Sequence, residues 1–146
     1  MINWGYLLLW CWVAYLTVTL VGIGHTVFNW KVLKMEGTKN NPPKSIYDID
    51  AYAKTVPWHV LYNILLWPVF AYIYFIMAKP TDLWLTAFWI GLIWCILSII
   101  IDLVGWVLIR HPWSVTYKEF YVDYQPWITL IYISMFVSPF IGALFI

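Results

Sequence analysis

The chain has 146 residues, of which 64% are hydrophobic, 21% are aromatic and only 10% are charged. Soluble domains carry about 25% charged residues, so this composition excludes a soluble globular fold, a disordered chain, a coiled coil and a nucleic-acid-binding protein. What remains is a protein that lies largely in lipid, because a water-soluble fold of this size could not hide so much apolar surface.

The charged residues divide the chain into four apolar stretches. Of the 15 charged residues (8 basic and 7 acidic), 14 lie within the segments 31–54, 79–82 and 110–123. The apolar stretches that remain cover about 5–28, 58–78, 83–109 and 127–146. Each is close to the ~20 helical residues that cross a hydrocarbon core of ~30 Å.

This pattern predicts an all-α, polytopic membrane protein. Helices satisfy their own backbone hydrogen bonds in lipid, and the stretches lack the alternation of polar and apolar residues that is typical of a membrane β-barrel. We therefore expect residues 1–146 to form a single four-helix transmembrane domain, in which most neighbouring helices are antiparallel.

The distribution of Lys and Arg predicts the orientation. Seven of the 8 basic residues lie in the loops 31–57 and 110–126, and the remaining one, Lys79, lies on the opposite side. Basic loops are retained in the cytoplasm. We therefore expect both of these loops in the cytoplasm, both termini outside, and the protein in the cell (plasma or inner) membrane.

The first span carries small and polar residues on one helical face. In chain order these residues are Cys11, Tyr15, Gly22, His25 and Asn29. The polar members lie towards the predicted cytoplasmic end of the helix, so this face is expected to point into the bundle there.

The first loop leads into the second span through a predicted surface helix. Ser45 and Asp48 have the spacing of a capping box, and the following residues form a narrow apolar stripe. This predicts a short interfacial helix near 46–54. The second span then begins with Trp58 and His59, and it carries Asn63 one turn later.

The third span contains Asp102, the only charged residue inside any of the stretches. Helical spacing places it on one face with small and polar residues, namely Gly91, Cys95, Ser98 and Gly105. A carboxylate in hydrocarbon is costly, so this face is expected to point inwards. We expect Asp102 to pair with His25, with Asn63 or with a buried tyrosine hydroxyl.

The second cytoplasmic loop and the fourth span have patterns of their own. Thr116 and Glu119 have the spacing of a capping box, which predicts an interfacial helix near 116–125. Tyr117, Phe120, Tyr121 and Tyr124 would share its aromatic face. In the fourth span, small residues at steps of four predict a helix-packing seam: Ser134, Ser138 and Gly142.

These polar groups converge on the cytoplasmic third of the bundle, where we expect a ligand-binding site. Its candidate residues are Asp102, His25, His59, Asn63, Arg110, His111, Tyr117 and Tyr121. The sequence shows no nucleophile beside a base and no metal-ligand motif. No catalytic residue, metal or cofactor is therefore predicted.

Three functions are compatible with such a site. The first is a small membrane binding or accessory protein that recognises a lipid headgroup, a small amphipathic ligand or a membrane protein partner. The second is an oligomeric transporter or channel subunit in which Asp102 and His25 couple to ions or protons. The third is an enzyme acting on lipid headgroups, with His111 or Glu119 as acid–base groups. Membrane lipid is the expected partner in the first function, a homo-oligomer or protein partner is an alternative, and nucleic acid is excluded.

Overall fold

The structure is a computed structural model that describes residues 2–146, and all of its regular elements are helical. The α-helices of residues 2–146 are α1 (Trp4–Lys31), α2 (Asp50–Ala53), α3 (Val56–Ala78), α4 (Leu83–Asp102) and α5 (Trp127–Ala143). A 3₁₀ turn (Ile46–Asp48) precedes α2, and two π-helices follow α4 at Leu103–Leu108 and Glu119–Asp123. The prediction of an all-α fold is confirmed.

Three of these helices are long and apolar enough to cross a membrane. They are Trp4–Lys31, Val56–Ala78 and the continuous segment Leu83–Leu108, which joins α4 to the first π-helix. In the most apolar window of α1, only 17% of the residues are buried inside the molecule. Most of its apolar side chains therefore face outwards, as a lipid environment requires.

The fourth apolar helix is shorter than the sequence pattern indicates. α5 has 17 residues, which corresponds to about 26 Å at ~1.5 Å per residue. Its last turn ends at Ala143, so the helix does not fill the predicted stretch 127–146. Its role as a fourth span stays a prediction.

Small residues allow α5 to pack closely against two other helices. A Cβ atom on Gly142 would lie 2.8 Å from the carbonyl oxygen of Pro68 in α3, and one on Gly91 would lie 2.3 Å from that of Phe136 in α5. Ser134 and Ser138 are buried in the same helix. The predicted seam on α5 is therefore confirmed, and it packs α5 between α3 and α4.

The helix directions differ from the expected arrangement. Contacts between His25 and Tyr62 and between Asn3 and Tyr74 show that α1 and α3 are antiparallel. α4 and α5 are also antiparallel. However, α3 runs parallel to α5, and α1 runs parallel to α4. Because consecutive helices are not always neighbours, the expectation of mostly antiparallel neighbours holds for only half of these pairs.

The third span changes its helical geometry after Asp102. The residues Leu103–Leu108 form a π-helix, which holds more residues per turn than an α-helix. A face calculated with the α-helical period therefore loses its register beyond this point. Gly91, Ser98 and Asp102 are buried as expected, but a Cβ atom on Gly105 would meet nothing within 4 Å.

Both predicted surface helices are present in altered form. The segment near 46–54 is a 3₁₀ turn and a four-residue α-helix, separated at Ile49 by an extended backbone conformation. The segment near 116–125 is helical only over 117–123, mostly as a π-helix. These differences shorten both segments, and they tilt individual aromatic side chains away from a single face.

Candidate functional site

Asp102 lies inside the bundle, where two tyrosines hold its carboxylate. The hydroxyl of Tyr15 in α1 donates to Oδ1 at 2.6 Å, and the hydroxyl of Tyr132 in α5 donates to Oδ2 at 2.8 Å. The residue is 7% exposed. Of the alternatives that the sequence left open, the tyrosine hydroxyl is the correct one, and Asp102 thereby ties three helices together.

A tryptophan fixes the direction of this hydrogen-bond chain. The indole N–H of Trp106 donates to the Tyr15 hydroxyl oxygen at 3.2 Å. An indole N–H can only donate, so the Tyr15 proton is free to point at Asp102. The chain from Trp106 through Tyr15 therefore ends on a carboxylate oxygen that acts as an acceptor.

Asp102 lines a cavity of about 520 Å³ that extends towards the end of the bundle that carries the two basic loops. Its walls come from α1, α3, α5, the two loops, the first π-helix and Asp102 at the end of α4. Most of the lining is aliphatic or aromatic, and the polar side chains are few. Ligand pockets have this character and span about 300–1,000 Å³.

His59 and Asn63 contribute polar groups from α3. The Nδ1 atom of His59 shares a hydrogen bond with the hydroxyl of Tyr124 at 2.5 Å. Its Nε2 atom points towards α1. A Cβ atom added at Gly22 in α1 would lie 3.5 Å from this nitrogen. The side-chain oxygen of Asn63 accepts a hydrogen bond from the indole N–H of Trp67 at 2.8 Å. Asn63 thereby orients the ring of Trp67, which lines the cavity.

Three further tyrosines supply hydroxyl groups at the loop end of the cavity. Burial raises the pKa of Tyr52 to about 12, and it also raises the pKa values of Tyr47 and Tyr124 above the ordinary value. All three hydroxyls therefore stay neutral at physiological pH and can donate hydrogen bonds. The ring of Tyr47 contacts the rings of both other tyrosines.

His25 is separate from the Asp102 cluster. Its Nδ1 atom shares a short hydrogen bond with the hydroxyl of Tyr62, and its ring contacts that of Trp58. It does not line the cavity. The alternative in which His25 pairs with Asp102 is therefore wrong, because the helical turns of α1 direct Tyr15, not His25, towards α4.

Arg110 and His111 also lie outside the cavity. Arg110 is exposed. His111 accepts from the backbone N–H of Trp113 through Nδ1 at 3.2 Å, which leaves Nε2 to donate to the carbonyl oxygen of Gly105 at 2.9 Å. His111 thus satisfies a carbonyl that the end of the π-helix leaves unpaired.

The predicted capping box in the loop 110–126 is present. Glu119 accepts from the backbone N–H of Thr116 at 2.7 Å, and the Thr116 hydroxyl accepts from the backbone N–H of Glu119 at 3.2 Å. The aromatic residues beyond it divide between two environments. Tyr117 is exposed, and Tyr121 is partly buried and donates to the carbonyl of Ile99 at 3.5 Å.

Of the eight candidate residues, the structure brings Asp102, His59 and Asn63 to the cavity. The sequence analysis missed Tyr132 and Trp106. Trp106 lies in the π-helix, where the α-helical period no longer applies, so helical spacing does not supply a signal for it. Tyr132 has no such signal either, since its position depends on how α5 packs against α4.

Among residues 2–146, no three His, Cys, Asp or Glu side chains form a group that could hold a metal ion. The absence of a metal or cofactor stays a prediction. Comparisons of the chain with protein-family models, with curated proteins and with solved structures find no match.

Proposed function

We propose that the protein is a small integral membrane protein that binds an amphipathic small molecule or a lipid in the cavity beside Asp102. The observation that carries this proposal is the cavity itself, about 520 Å³ of mainly apolar space with polar groups at a few positions. Such a combination takes up a hydrocarbon portion and orients a polar head.

The route into the cavity supports a ligand that arrives from the lipid phase. Four of the lining residues have large exposed side chains: Ile23, Val27, Trp30 and Trp113. Three lie near the end of α1, and the fourth lies in the loop after the first π-helix. The opening is therefore lateral, between two elements that would face lipid or the interface.

The proposal includes the number of spans and the orientation of the protein in the membrane. α5 acts as the fourth span, because 17 residues lie at the short end of the ~17–25 that cross a bilayer. The basic loops lie in the cytoplasm and both termini lie outside, in the cell membrane. The site then occupies the cytoplasmic third of the bundle, and membrane lipid is its nearest source of ligand.

The other two functions receive less support from the geometry. Asp102 bonds to Tyr15 and Tyr132, whereas His25 bonds to Tyr62. Ion or proton coupling between Asp102 and His25 therefore has no direct contact to support it. His111 and Glu119 form local hydrogen bonds outside the cavity. We therefore favour binding over ion coupling or headgroup chemistry.

A pair of glycine variants in α1 tests the proposal. Gly22 lines the cavity, and a Cβ atom there has room, so the larger side chain of Gly22→Leu would extend towards His59 and occupy the space. Gly24 is the matched control, since nothing lies within 4 Å of its Cβ position. Both variants add the same side chain to the same helix.

The measurement is native mass spectrometry of each protein in a neutral maltoside detergent, with a monoacylglycerol as the probe. We expect one retained probe molecule on the wild type and on Gly24→Leu, and at least about tenfold weaker retention on Gly22→Leu. Equal retention by all three proteins would reject the cavity as the binding site.

A further inference from the structure

Asp102 borders the cavity without a cationic partner. Among the described residues, the one ion pair is between Lys118 and Asp123 on the surface, and no Lys, Arg or His nitrogen lies within salt-bridge distance of Asp102. A buried carboxylate is normally paired with a cation or neutralised. The protein supplies hydrogen-bond donors to Asp102 but no positive charge.

The hydrogen-bond network presents a donor to each oxygen of the Asp102 carboxyl group. Two hydroxyls, from Tyr15 and Tyr132, donate to different oxygens of Asp102, and the donor-only indole of Trp106 sets the direction at Tyr15. Each carboxylate oxygen has two acceptor sites, so acceptor capacity remains for a further donor. Because Asp102 also lines the cavity, a ligand there can reach it.

Aromatic rings surround the same space. The cavity lining includes Tyr15, Trp106, Trp67, Phe120 and Tyr124. The face of an aromatic ring attracts a cation, and the attraction is strongest where water is excluded. An alkylammonium group gains from such walls, whereas an anionic head meets the negative faces of the rings and the carboxylate together.

We propose that the ligand of this cavity is an amphipathic organic cation, whose ammonium group lies against Asp102 and whose hydrocarbon chain extends through the apolar space to the lateral opening. This inference rests on the proposed binding function and specifies the chemical class of the ligand. The amino group of Lys31 lies 3.5 Å from the ring centre of Trp30, which is one of the exposed residues at the opening of the cavity. The favourable position for a cation is therefore deep in the cavity and not at its mouth.

The test compares three probes with the same chain length on the wild-type protein in maltoside micelles. They are decylammonium, whose N–H groups can donate to Asp102, the neutral donor decane-1,2-diol, and decyl sulfate. Binding is measured by isothermal titration calorimetry below the micelle-forming concentration of each probe. We expect the cation to bind at least about tenfold more tightly than the neutral diol, and the anion to bind most weakly.

Two carboxylate variants test whether the preference for the cation depends on Asp102. Asp102→Asn preserves the shape of the side chain and removes its charge, so it should abolish the preference for the cation. Asp123→Asn removes one negative charge from the exposed surface and should leave the preference unchanged. If Asp102→Asn does not fold, the comparison of the three probes on the wild type still decides whether the site prefers a cation.

The outcomes separate this inference from the function on which it rests. Equal affinities for the three probes, with binding lost in Gly22→Leu, would overturn the cation preference and leave the binding function in place. A cation preference that survives in Asp102→Asn would also overturn the inference. Binding of none of the probes, together with no retention of monoacylglycerol, would reject the binding function itself.

Discussion

At the scale of single residues, Asp102 organises the site through its tyrosine partners. The sequence predicted that this carboxylate is buried, because one charge in an apolar span must face the bundle. It could not choose among the partners, since the reach of each side chain depends on helix rotation. Tyr15 was on the predicted inner face of α1, whereas Tyr132 reaches Asp102 only because α5 packs against α4.

Removing one donor from Asp102 should destabilise the bundle. We expect Tyr132→Phe to lower the free energy of unfolding by about 1–3 kcal/mol, because a buried acceptor loses its partner. Tyr72→Phe is the matched control, since Tyr72 is on the exposed side of α3. Thermal unfolding in micelles, followed by near-UV circular dichroism, compares the two. Equal midpoints would show that the Tyr132 bond contributes nothing to stability.

At the scale of elements, the sequence located the helices but not their geometry. The predicted spans agree with α1, α3 and the segment Leu83–Leu108, because length and apolar composition determine them. The π-helix after Asp102 lay outside the prediction, as an α-helical period was assumed throughout. It matters for the site, because Trp106 contacts Tyr15 from within the π-helix.

Glycine variants test α4 and the π-helix that follows it separately. At Gly91 an added Cβ atom would lie 2.3 Å from the carbonyl oxygen of Phe136, so Gly91→Ala forces α4 and α5 apart. We expect a loss of about 1–3 kcal/mol in the free energy of unfolding. Gly105→Ala adds the same atom where nothing lies within 4 Å, and it should be neutral or stabilising. Comparable losses in both variants would contradict the helix packing described here.

The loop helix near Glu119 should depend on pH. Partial burial acts to raise the pKa of Glu119, but hydrogen bonds from Thr116 and Ser45 together lower the pKa overall. A lowered pKa in the folded state stabilises the segment above the unfolded value of about 4.3, and this stability is lost as the pH falls through the folded value.

Amide exchange measures this effect. The protection factors of Glu119–Asp123, corrected for intrinsic exchange at each pH, should fall as the pH decreases below about 4. In Glu119→Gln the protection factors of this segment should no longer fall over this pH range. An unchanged pH profile in this variant would assign the effect to another carboxylate, such as Asp48, whose pKa is also lowered, first by a hydrogen bond from Asn40.

At the scale of the whole molecule, the packing order of the helices creates the cavity. α3 packs on both α1 and α5, and α4 packs on α5, so α1 meets α4 mainly through bonds made by Tyr15 and Leu7. Beyond Tyr15, α1 and the π-helix stand apart and the cavity lies between them. This arrangement follows from the three-dimensional packing of helices, and no pattern within one segment encodes it.

The orientation is a prediction for the whole molecule. A cysteine placed at Thr81 should react with a membrane-impermeant thiol reagent on intact cells, whereas one placed at Asn40 should react only after lysis. The expected difference follows from the 7 basic residues in the two loops on the Asn40 side. The native Cys11 is buried and Cys95 is partly buried, which limits background labelling. The reverse pattern of reactivity would place the cavity on the outer side.

The central claim is that the space beside Asp102 holds a ligand, and an experimental structure of the wild-type protein purified in a lipid bilayer tests it most directly. We predict elongated density between α1 and Leu103–Leu108, with its polar end within hydrogen-bonding distance of Asp102. A structure in which Asp102 faces lipid, or in which α1 closes on the π-helix and fills the space with side chains, would contradict the account.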